Sequence, residues 1–554
     1  MDGLQCFVSD LNVVGRGRRC KRIVCTAAEK PDDVIVVGSG MGGLVTATQL
    51  AAKGLKVRVL EKYLIPGGSS GYFERDGYTF DVGASMIFGL GDEGYTNLLT
   101  RALDAVGKKI ETKPDPTIVT YYLPDGLTVP VDRNYDVFMG ELRAKFPSSA
   151  DGLKQFYDTC ADVFKCLNEM ELLSLEEPRY LLKVFFQKPV NCLKLLWYMF
   201  LNAADEVGKT VADPIAKKFV DIECFLISVA GADRTPLINT GMVFADRHYG
   251  GANYPIGGVG KISLALAEGL EEYGGKIEYG ARVRRIIVED GKAVGVLLAN
   301  GKELLARTVI SNATRWDTFE NLVPKESVPE EESMFQDRYK KTASFISLHV
   351  GVKRDKLPKD LECHMIILDD YDNMEKCRDA EGTLFVSVPT VLDSTIAPDN
   401  RHIFHIFTAS DMEEWEGLSV AEYNEKKEEL ATKILKKVEA AAAPGLTDSV
   451  ELLEVGTPRT HRRFLGRIDG TYGPVPRRVL RGLASMPFNK TALPGLYCVG
   501  DSSFPGQGLN AVAFSGFSCA HRVAADVGKE DKLPLLDEPL QYLLGRKRLE
   551  LFNN

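Results

Sequence analysis

A glycine-rich turn near the start of the chain has the spacing of a dinucleotide-binding loop. Gly38, Gly40 and Gly43 match the pattern G-x-G-x-x-G. In this pattern the first glycine permits a tight turn, the second lets the backbone approach a pyrophosphate, and the third lets a helix pack closely on a strand. The anion then lies at the helix N-terminus, where free N–H groups favour it. An apolar run at residues 33–37 and a helical pattern at residues 44–53 supply the strand and the helix that the motif requires.

An acidic residue follows the next predicted strand, where a ribose would lie. Residues 56–60 alternate in polarity and predict that strand, and Glu61 comes 18 residues after Gly43. A carboxylate in this place accepts hydrogen bonds from ribose hydroxyls. This acid suits FAD and NAD equally, so it does not decide between them. The two strands and the helix predict a βαβ unit.

Two further segments favour FAD over NAD. Gly68 and Ser69 lie in a second glycine-rich run, which can add backbone N–H donors beside the dinucleotide. Gly500 and Asp501 end a later predicted strand, where an acid can hold the ribityl chain of a flavin. Gly508 precedes a predicted helix, and the positive N-terminus of that helix can face the pyrimidine end of the flavin. Three segments far apart in the chain therefore predict one FAD site.

Longer strings of residues are more specific than these glycine motifs, which many flavoproteins share. The order of the motifs, with Asp81-Val82-Gly83 and Ser311-Asn312-Ala313 between the acid and Gly500-Asp501, resembles that of the phytoene-desaturase-type FAD oxidoreductases. Within that family the chain is most similar to the plastid carotenoid isomerases, from about residue 34 to residue 528. The strings that carry the resemblance are residues 61–71, 254–260, 311–319, 460–465 and 504–508.

The resemblance implies an enzyme that converts a poly-cis carotenoid to its all-trans isomer. Such a reaction is redox-neutral, needs FAD in its reduced form, and makes NAD(P)H a candidate upstream reductant. Two alternatives stay open: a carotenoid desaturase or saturase with net electron transfer, and a non-catalytic flavin-binding partner of a carotenoid complex. The catalytic residues are not identified. A basic group, Arg459, His461, Arg462 and Arg463, either faces the flavin or a proton-transfer site, or forms a solvated or phosphate-facing loop.

The elements that must position these residues predict an α/β fold with two interleaved parts. A Rossmann-like FAD-binding domain is discontinuous, and an α+β substrate domain is inserted into it. Turn signals at Asp290-Gly291 and Asn300-Gly301 predict a three-stranded meander in the first domain. The predicted ranges are 1–30 for a leader, 31–120 with 247–330 and 482–530 for the FAD-binding domain, 121–246 with 331–481 for the substrate domain, and 531–554 for a C-terminal tail.

Composition excludes several other classes of function. The net charge of −9 gives no general attraction to nucleic acid. The 11 cysteines are scattered without zinc spacing, which predicts reduced thiols and no metal site. No apolar run is long enough for a spanning helix. The inserted domain is rich in apolar residues and lacks a cluster of charges for a charged substrate, which fits a long apolar channel.

Two segments bear on location. Residues 184–201 combine aromatic and aliphatic side chains with lysines, which is typical of an interfacial segment or of a core helix. The resemblance favours the membrane, because carotenoids are lipid-soluble. Residues 16–22 are strongly basic, so the leader is either the remnant of a plastid transit peptide or a disordered tail. Together these features predict a peripheral protein on a plastid membrane.

Overall fold

The computed structural model describes residues 6–8, 23–25, 31–475 and 486–541. Most of the predicted leader and residues 542–554 of the predicted tail lie outside these ranges. The strands, numbered along the chain, are β1 Cys6–Val8, β2 Ile23–Cys25, β3 Asp32–Val37, β4 Val57–Leu60, β5 Tyr72–Arg75, β6 Tyr78–Asp81, β7 Thr112–Pro114, β8 Thr117–Tyr122, β9 Thr128–Asp132, β10 Asn253–Pro255, β11 Lys276–Glu278, β12 Val283–Glu289, β13 Lys292–Leu298, β14 Glu303–Ser311, β15 Ser344–Lys353, β16 His364–Ile367, β17 Leu384–Ser387, β18 Arg401–Ser410, β19 Val450–Gly456 and β20 Leu496–Cys498. The helices are α1 Met41–Ala52, α2 Leu98–Asp104, α3 Tyr135–Lys145, α4 Ala150–Asn168, α5 Pro178–Gln187, α6 Pro189–Tyr198, α7 Ala203–Thr210, α8 Pro214–Ser228, α9 Leu237–Asp246, α10 Gly260–Glu272, α11 Arg315–Asp317, α12 Glu330–Arg338, α13 Val420–Ala441, α14 Pro458–Leu465 and α15 Leu509–Asp526.

The first seven-stranded sheet has the order β11-β4-β3-β14-β13-β12, and β20 also pairs with β14. Strands β3, β4, β11, β14 and β20 run parallel, whereas β12, β13 and β14 form the predicted antiparallel meander. Helix α1 connects β3 to β4, and α15 packs against α1. The α/β prediction is therefore confirmed, with one sheet built from three distant parts of the chain.

The second seven-stranded sheet has the order β19-β15-β18-β17-β16-β8-β9. Helices α3, α4, α8 and α9 contribute to the core on one side of it, and α13 to the core on the other. Strand β8 begins at Thr117, so the chain enters this sheet a few residues before the predicted boundary at residue 120. The remaining domain limits stay predictions.

Two helical predictions have different outcomes. Helix α13 was expected from the four-residue spacing of Leu430, Ile434 and Val438, and all three side chains are buried. Residues 184–201, treated as one segment from the sequence, belong to two helices. Pro189 begins α6, and a proline disfavours helical backbone at the residue before it. Lys188 accordingly has a non-helical φ of −138°, which separates α6 from α5.

Candidate active site

The first glycine turn leaves no room for side chains. Gly38 has a φ of +96°, which L side chains rarely adopt. A Cβ placed on Gly43 would lie 2.3 Å from the carbonyl oxygen of Gly38, and one on Gly40 would lie 2.7 Å from Nδ2 of Asn312. Gly40 also precedes α1 without a side-chain cap. The first N–H groups of α1 are therefore available to an anion that approaches the turn.

Asn312, which follows the last strand of the meander, joins the separate parts of this site. Its backbone N–H donates to the Val37 carbonyl oxygen at 2.9 Å, which places its side chain over the glycine turn. Cβ atoms placed on Gly42 and Gly500 would each lie 3.0 Å from Asn312 Oδ1. This asparagine belongs to a string that carries the family resemblance, but the sequence gives it no role. In the structure it lies where it can position the turn.

Glu61 lies where the sequence predicts the ribose acid. Its Oε2 accepts hydrogen bonds from the N–H and hydroxyl groups of Ser39, at 2.8 and 2.6 Å. Its Oε1 accepts from the N–H of Tyr63 at 2.8 Å. These contacts fix the carboxylate at the end of β4. Both lone pairs of Oε2 are used, whereas Oε1 has one left, so Glu61 can also accept from a ribose hydroxyl through Oε1.

The second glycine run lies directly beside the first turn. The N–H of Gly67 donates to the carbonyl oxygen of Ser39 at 2.9 Å. A Cβ on Gly68 would lie 3.5 Å from the Cα of Gly40. Ser69 packs against Gly83: a Cβ placed on Gly83 would lie 2.5 Å from the Ser69 carbonyl oxygen. Gly68 and Ser69 thus connect the pyrophosphate turn with the backbone at Gly83.

Asp501 has a cationic partner that sequence reasoning missed. The side chain of Asp501 is largely buried and accepts a hydrogen bond from Nη2 of Arg467. The Arg467 guanidinium carbon lies 5.0 Å from the centre of the Tyr472 ring. Arg467 and Asp501 are 34 residues apart and share no motif, so only the fold reveals the pair. A ribityl hydroxyl at Asp501 would meet this ion pair.

The nine predicted cofactor residues lie in three adjoining segments, and the segments fit FAD. They offer close backbone approach at Gly40, an uncapped helix start at α1, and carboxylates at Glu61 and Asp501. Gly508 precedes α15, again without a side-chain cap. The cofactor is FAD, and bound flavin supplies the electron chemistry that protein side chains lack.

A cavity of about 570 Å³ begins at the predicted flavin end of the site. Gly83 and Gly508 line it there, and Leu195, Leu196 and Met199 line it beside α6. Most of its walls are aliphatic or aromatic. This volume lies within the range of small-molecule sites. The cavity meets the expectation of an apolar channel, although it also contains Asp246 and Arg247.

A few polar side chains lie at the flavin end of this cavity. His461 Nδ1 lies 3.2 Å from the Tyr472 hydroxyl, and burial lowers the pKa of His461 to about 4. Burial also places the pKa of His405 well below its usual range. Both imidazoles are therefore neutral at neutral pH. Of the predicted basic group, His461 faces the cavity, whereas Arg462 pairs with exposed Glu416 on the surface.

Helices α5 and α6 carry apolar side chains that the fold does not bury. No residue of α6 is buried. Phe186 is 78% exposed and Trp197 is 65% exposed. Leu201, just beyond α6, is half-buried and packs against the core. The core-helix interpretation therefore fails for α6. Within the described ranges, no helix is long and apolar enough to cross a membrane.

One buried cluster has metal-ligand residue types despite the scattered cysteines. Possible ligand atoms of Asp115, Cys363 and His364 lie within 4.8 Å of one another. Asp115 Oδ2 lies 2.9 Å from His364 Nδ1, so these two side chains satisfy each other. Burial raises the pKa of the Cys363 thiol well above its usual value. Cys363 Sγ lies 3.8 Å from His364 Nε2, so the three buried side chains form one contiguous polar cluster in the core.

Comparisons with known proteins agree with this geometry. The family of flavin containing amine oxidoreductases matches residues 41–524. Prolycopene isomerase 1, chloroplastic, of an Oncidium hybrid cultivar is 57% identical over 513 residues, covering 93% of this chain and 87% of the relative. Prolycopene isomerase, chloroplastic, of Arabidopsis thaliana is 56% identical over 514 residues, covering 93% and 86%. A triple mutant of putrescine oxidase superposes with a TM-score of 0.61 at 16% identity, covering 90% of this chain and 98% of that one, which concerns the fold alone.

Proposed function

We propose that this chain, which belongs to the family of flavin containing amine oxidoreductases, is an FAD-dependent isomerase that converts prolycopene to all-trans-lycopene. Identity of 56–57% over 93% of the chain to prolycopene isomerases supports the reaction. The observation that carries the proposal is the apolar cavity, which extends from Gly83 and Gly508 to helices α5 and α6. A long hydrocarbon fits its walls, which are mostly aliphatic and aromatic.

The nine cofactor-binding residues keep their predicted roles as part of this proposal. Glu61 would hold the ribose and Gly38, Gly40 and Gly43 the pyrophosphate. Gly68 and Ser69 would add backbone donors beside it. Gly500 and Asp501 would hold the ribityl chain, and Gly508 would place the start of α15 near the flavin ring. With these roles, the flavin end of the site would adjoin the cavity that Gly83 and Gly508 line.

The protein's contribution to the reaction is position, dryness and charge control. Rotation about a C=C bond requires a transient loss of π bonding. Bound reduced flavin would supply the electron chemistry for this step. Cavity walls of hydrocarbon exclude water from a reactive polyene. The neutral imidazoles of His405 and His461 add no fixed positive charge near the flavin end. A redox-neutral isomerisation consumes no electrons, so NAD(P)H would serve only to reduce the flavin beforehand.

The plastid membrane is the proposed location. The two relatives described above carry the word chloroplastic in their names. The exposed apolar surface of α5 and α6 adjoins the cavity wall formed by Leu195, Leu196 and Met199. A surface of this kind can lie in the lipid interface without crossing the bilayer. A lipid-dissolved carotene could then enter the cavity without passing through water.

Anaerobic product analysis tests the function. Purified protein with photoreduced FAD is given a poly-cis carotene in lipid vesicles, and the product is analysed by chromatography and mass spectrometry. We expect an all-trans isomer of unchanged mass, and little product with oxidised FAD. A product lighter by two hydrogens would make the protein a desaturase, and one heavier by two hydrogens would make it a saturase. Bound FAD without any conversion would favour a non-catalytic partner.

A further inference from the structure

Asp246, the last residue of α9, is a buried acid without a partner. Its side chain is 1% exposed, and it lines the apolar cavity. Neither Oδ1 nor Oδ2 has a hydrogen-bond partner. An unpaired carboxyl group in a hydrocarbon environment is costly, because its ionised form loses its hydration. A buried polar group without a partner lowers the stability of the fold, so it calls for an explanation such as a catalytic role.

Other buried acids in the described ranges are satisfied by neighbours. Glu223 accepts from Arg247 Nη1 at 2.6 Å and from the Tyr157 hydroxyl. Asp81 accepts from Tyr254, Ser85 and the N–H of Val259. Glu332 accepts from Arg315 at 2.6 and 2.7 Å. Among the buried carboxylate oxygens that the structure describes, those of Asp246 alone lack a partner.

Hydrogen bonds hold the backbone around Asp246, whose side chain forms part of the cavity wall. Its carbonyl oxygen accepts hydrogen bonds from the N–H groups of Tyr249 and Gly251, at 2.9 and 2.7 Å. The next residue, Arg247, is fixed by its ion pair with Glu223. That guanidinium is therefore engaged with another acid, and it does not hydrogen-bond to Asp246.

Burial, opposed by two nearby groups, makes this carboxyl group titrate near neutrality. Burial raises the pKa of Asp246 to about 7, while the Gly250 amide and the Arg133 guanidinium act in the opposite direction. Neither of these groups reaches hydrogen-bonding geometry. His248, which follows Arg247, is neutral because burial and the Arg247 charge lower its pKa to about 3. The cavity thus contains a carboxylic acid that can release and recover a proton around pH 7.

We propose that Asp246 is the proton donor and acceptor of the isomerisation, an inference that rests on the proposed function. The O–H bond of the carboxyl group breaks and a C–H bond forms at one polyene carbon, using two π electrons of the chain. The positive charge spreads over the remaining conjugated bonds, and the former double bond rotates as a single bond. A proton then returns from the same carbon to the carboxylate, which restores the double bond and the acid. No electron is gained or lost.

This step is consistent with a requirement for reduced flavin. Reduced flavin that carries a negative charge beside the cavity would stabilise a cationic polyene. This stabilisation is strongest where water is excluded. The protein needs no further base, because the carboxylate that released the proton recovers it. The neutral states of His405 and His461 fit this logic, and the Arg247 charge in the same wall is balanced by Glu223.

The first test is isomerisation in deuterium oxide by the FAD-loaded protein. The wild type should return all-trans product that carries deuterium at chain carbons, because the Asp246 proton exchanges with solvent between turnovers. The variant Asp246→Asn should keep its FAD. Its isomerisation rate should fall by about 100-fold or more, which is the usual range for the loss of a general acid. Its residual product should contain no deuterium. Asp115→Asn, which changes a buried acid outside the cavity lining, should behave as the wild type in both respects.

A second test reads the carboxyl group directly. Infrared difference spectra between the wild type and Asp246→Asn, both with FAD bound, should show a protonated carboxyl band that disappears as the pH rises through about 7. The rate of isomerisation should fall over the same range, because only the acid form can donate. The Asp246→Glu variant, which retains a carboxyl group, should recover part of the rate.

The outcomes separate this inference from the proposed function. Wild-type product without deuterium, or full activity of FAD-loaded Asp246→Asn, would overturn the role of Asp246 and leave the isomerase intact. Absence of any all-trans product from wild type with reduced FAD would instead refute the proposed function. If Asp246→Asn fails to fold, deuterium in the wild-type product and the fall of the wild-type isomerisation rate as the pH rises through about 7 still decide the matter.

Discussion

The start of α1 and the helix pair α5–α6 obey opposite physical rules. At the start of α1, Met41, Gly42 and Gly43 are all buried, and a single added Cβ on Gly43 would collide with backbone. Along α6 no residue is buried, and large side chains such as Trp197 stand mostly in the open. One region is specified atom by atom, whereas the other is specified by its composition. They lie at the two ends of the proposed functional path, from the cofactor site to the proposed membrane surface.

This contrast teaches where each kind of function resides. A cofactor of fixed shape needs backbone groups in fixed places, so that region tolerates little change. A fluid lipid surface needs only apolar area, so α6 can vary in sequence while its apolar character remains. Changes at the start of α1 should therefore remove FAD, and changes in α6 should remove membrane binding while FAD stays bound. The following experiments test that separation.

The largest effect should come from Gly43→Val. A valine Cβ would lie 2.3 Å from the Gly38 carbonyl oxygen, which neither α1 nor β3 can relieve by a small shift. We expect protein without measurable flavin absorbance and with a lower melting temperature. Gly140→Ala is the control, because nothing lies within 4 Å of an added Cβ in the middle of α3. Normal flavin content in Gly43→Val would contradict the placement of the dinucleotide.

The next effect concerns α6. Val190, Leu193 and Trp197 are 63, 58 and 65% exposed, so replacing all three with serine removes apolar area without opening the core. Burial of each such side chain in lipid is worth on the order of 1.5–3 kcal/mol, and partial burial of the three should still lower vesicle binding about 100-fold. Flotation with phosphatidylcholine–phosphatidylglycerol vesicles measures it, and flavin content should be unchanged.

A matched triple variant controls for general hydrophobicity. Leu64, Val420 and Leu535 are at least as exposed as the α6 residues but lie elsewhere in the chain. Their replacement with serine should leave vesicle binding at the wild-type level. Equal loss in both triple variants would mean that α6 is no special membrane surface. Loss of FAD from the α6 variant would mean that this helix pair supports the fold after all.

A smaller effect is expected for Glu61→Ala. The variant loses an acceptor for the ribose and also releases the N–H groups of Ser39 and Tyr63. Hydrogen bonds to charged groups contribute about 1.5–3 kcal/mol, which corresponds to about 10- to 150-fold weaker FAD binding. Titration of apoprotein with FAD by flavin fluorescence gives the value. Glu74→Ala, an exposed acid on β5, should bind FAD as the wild type does. Unchanged affinity in Glu61→Ala would place the ribose elsewhere.

The sequence predicts the cofactor region better than the cavity for a physical reason. Gly38, Gly40 and Gly43 lie within six residues of the chain, so their spacing alone predicts a turn and a helix start. The cavity instead gathers side chains from distant segments, and no local pattern records which ones meet. Asp246 illustrates this point: its residue type is ordinary, and only the fold shows that both of its oxygens lack partners.

Pairings across the chain were missed for the same reason. Arg467 meets Asp501 because the turn after α14 lies beside the loop after β20, and Asn312 covers a turn some 270 residues earlier. Residues 184–201 were ambiguous because interfacial and core helices share a composition. Exposure of α6 in the fold removes the core alternative, which hydropathy by itself could not do.

Electron counting during turnover tests the central claim most directly. Photoreduced FAD-loaded protein is mixed with excess poly-cis carotene under strict anaerobiosis, while the flavin spectrum and the all-trans product are followed together. The account predicts many product molecules per flavin, with the flavin still reduced at the end. Reoxidation of one flavin for each product molecule formed would contradict it, because the reaction would then transfer electrons to the carotene.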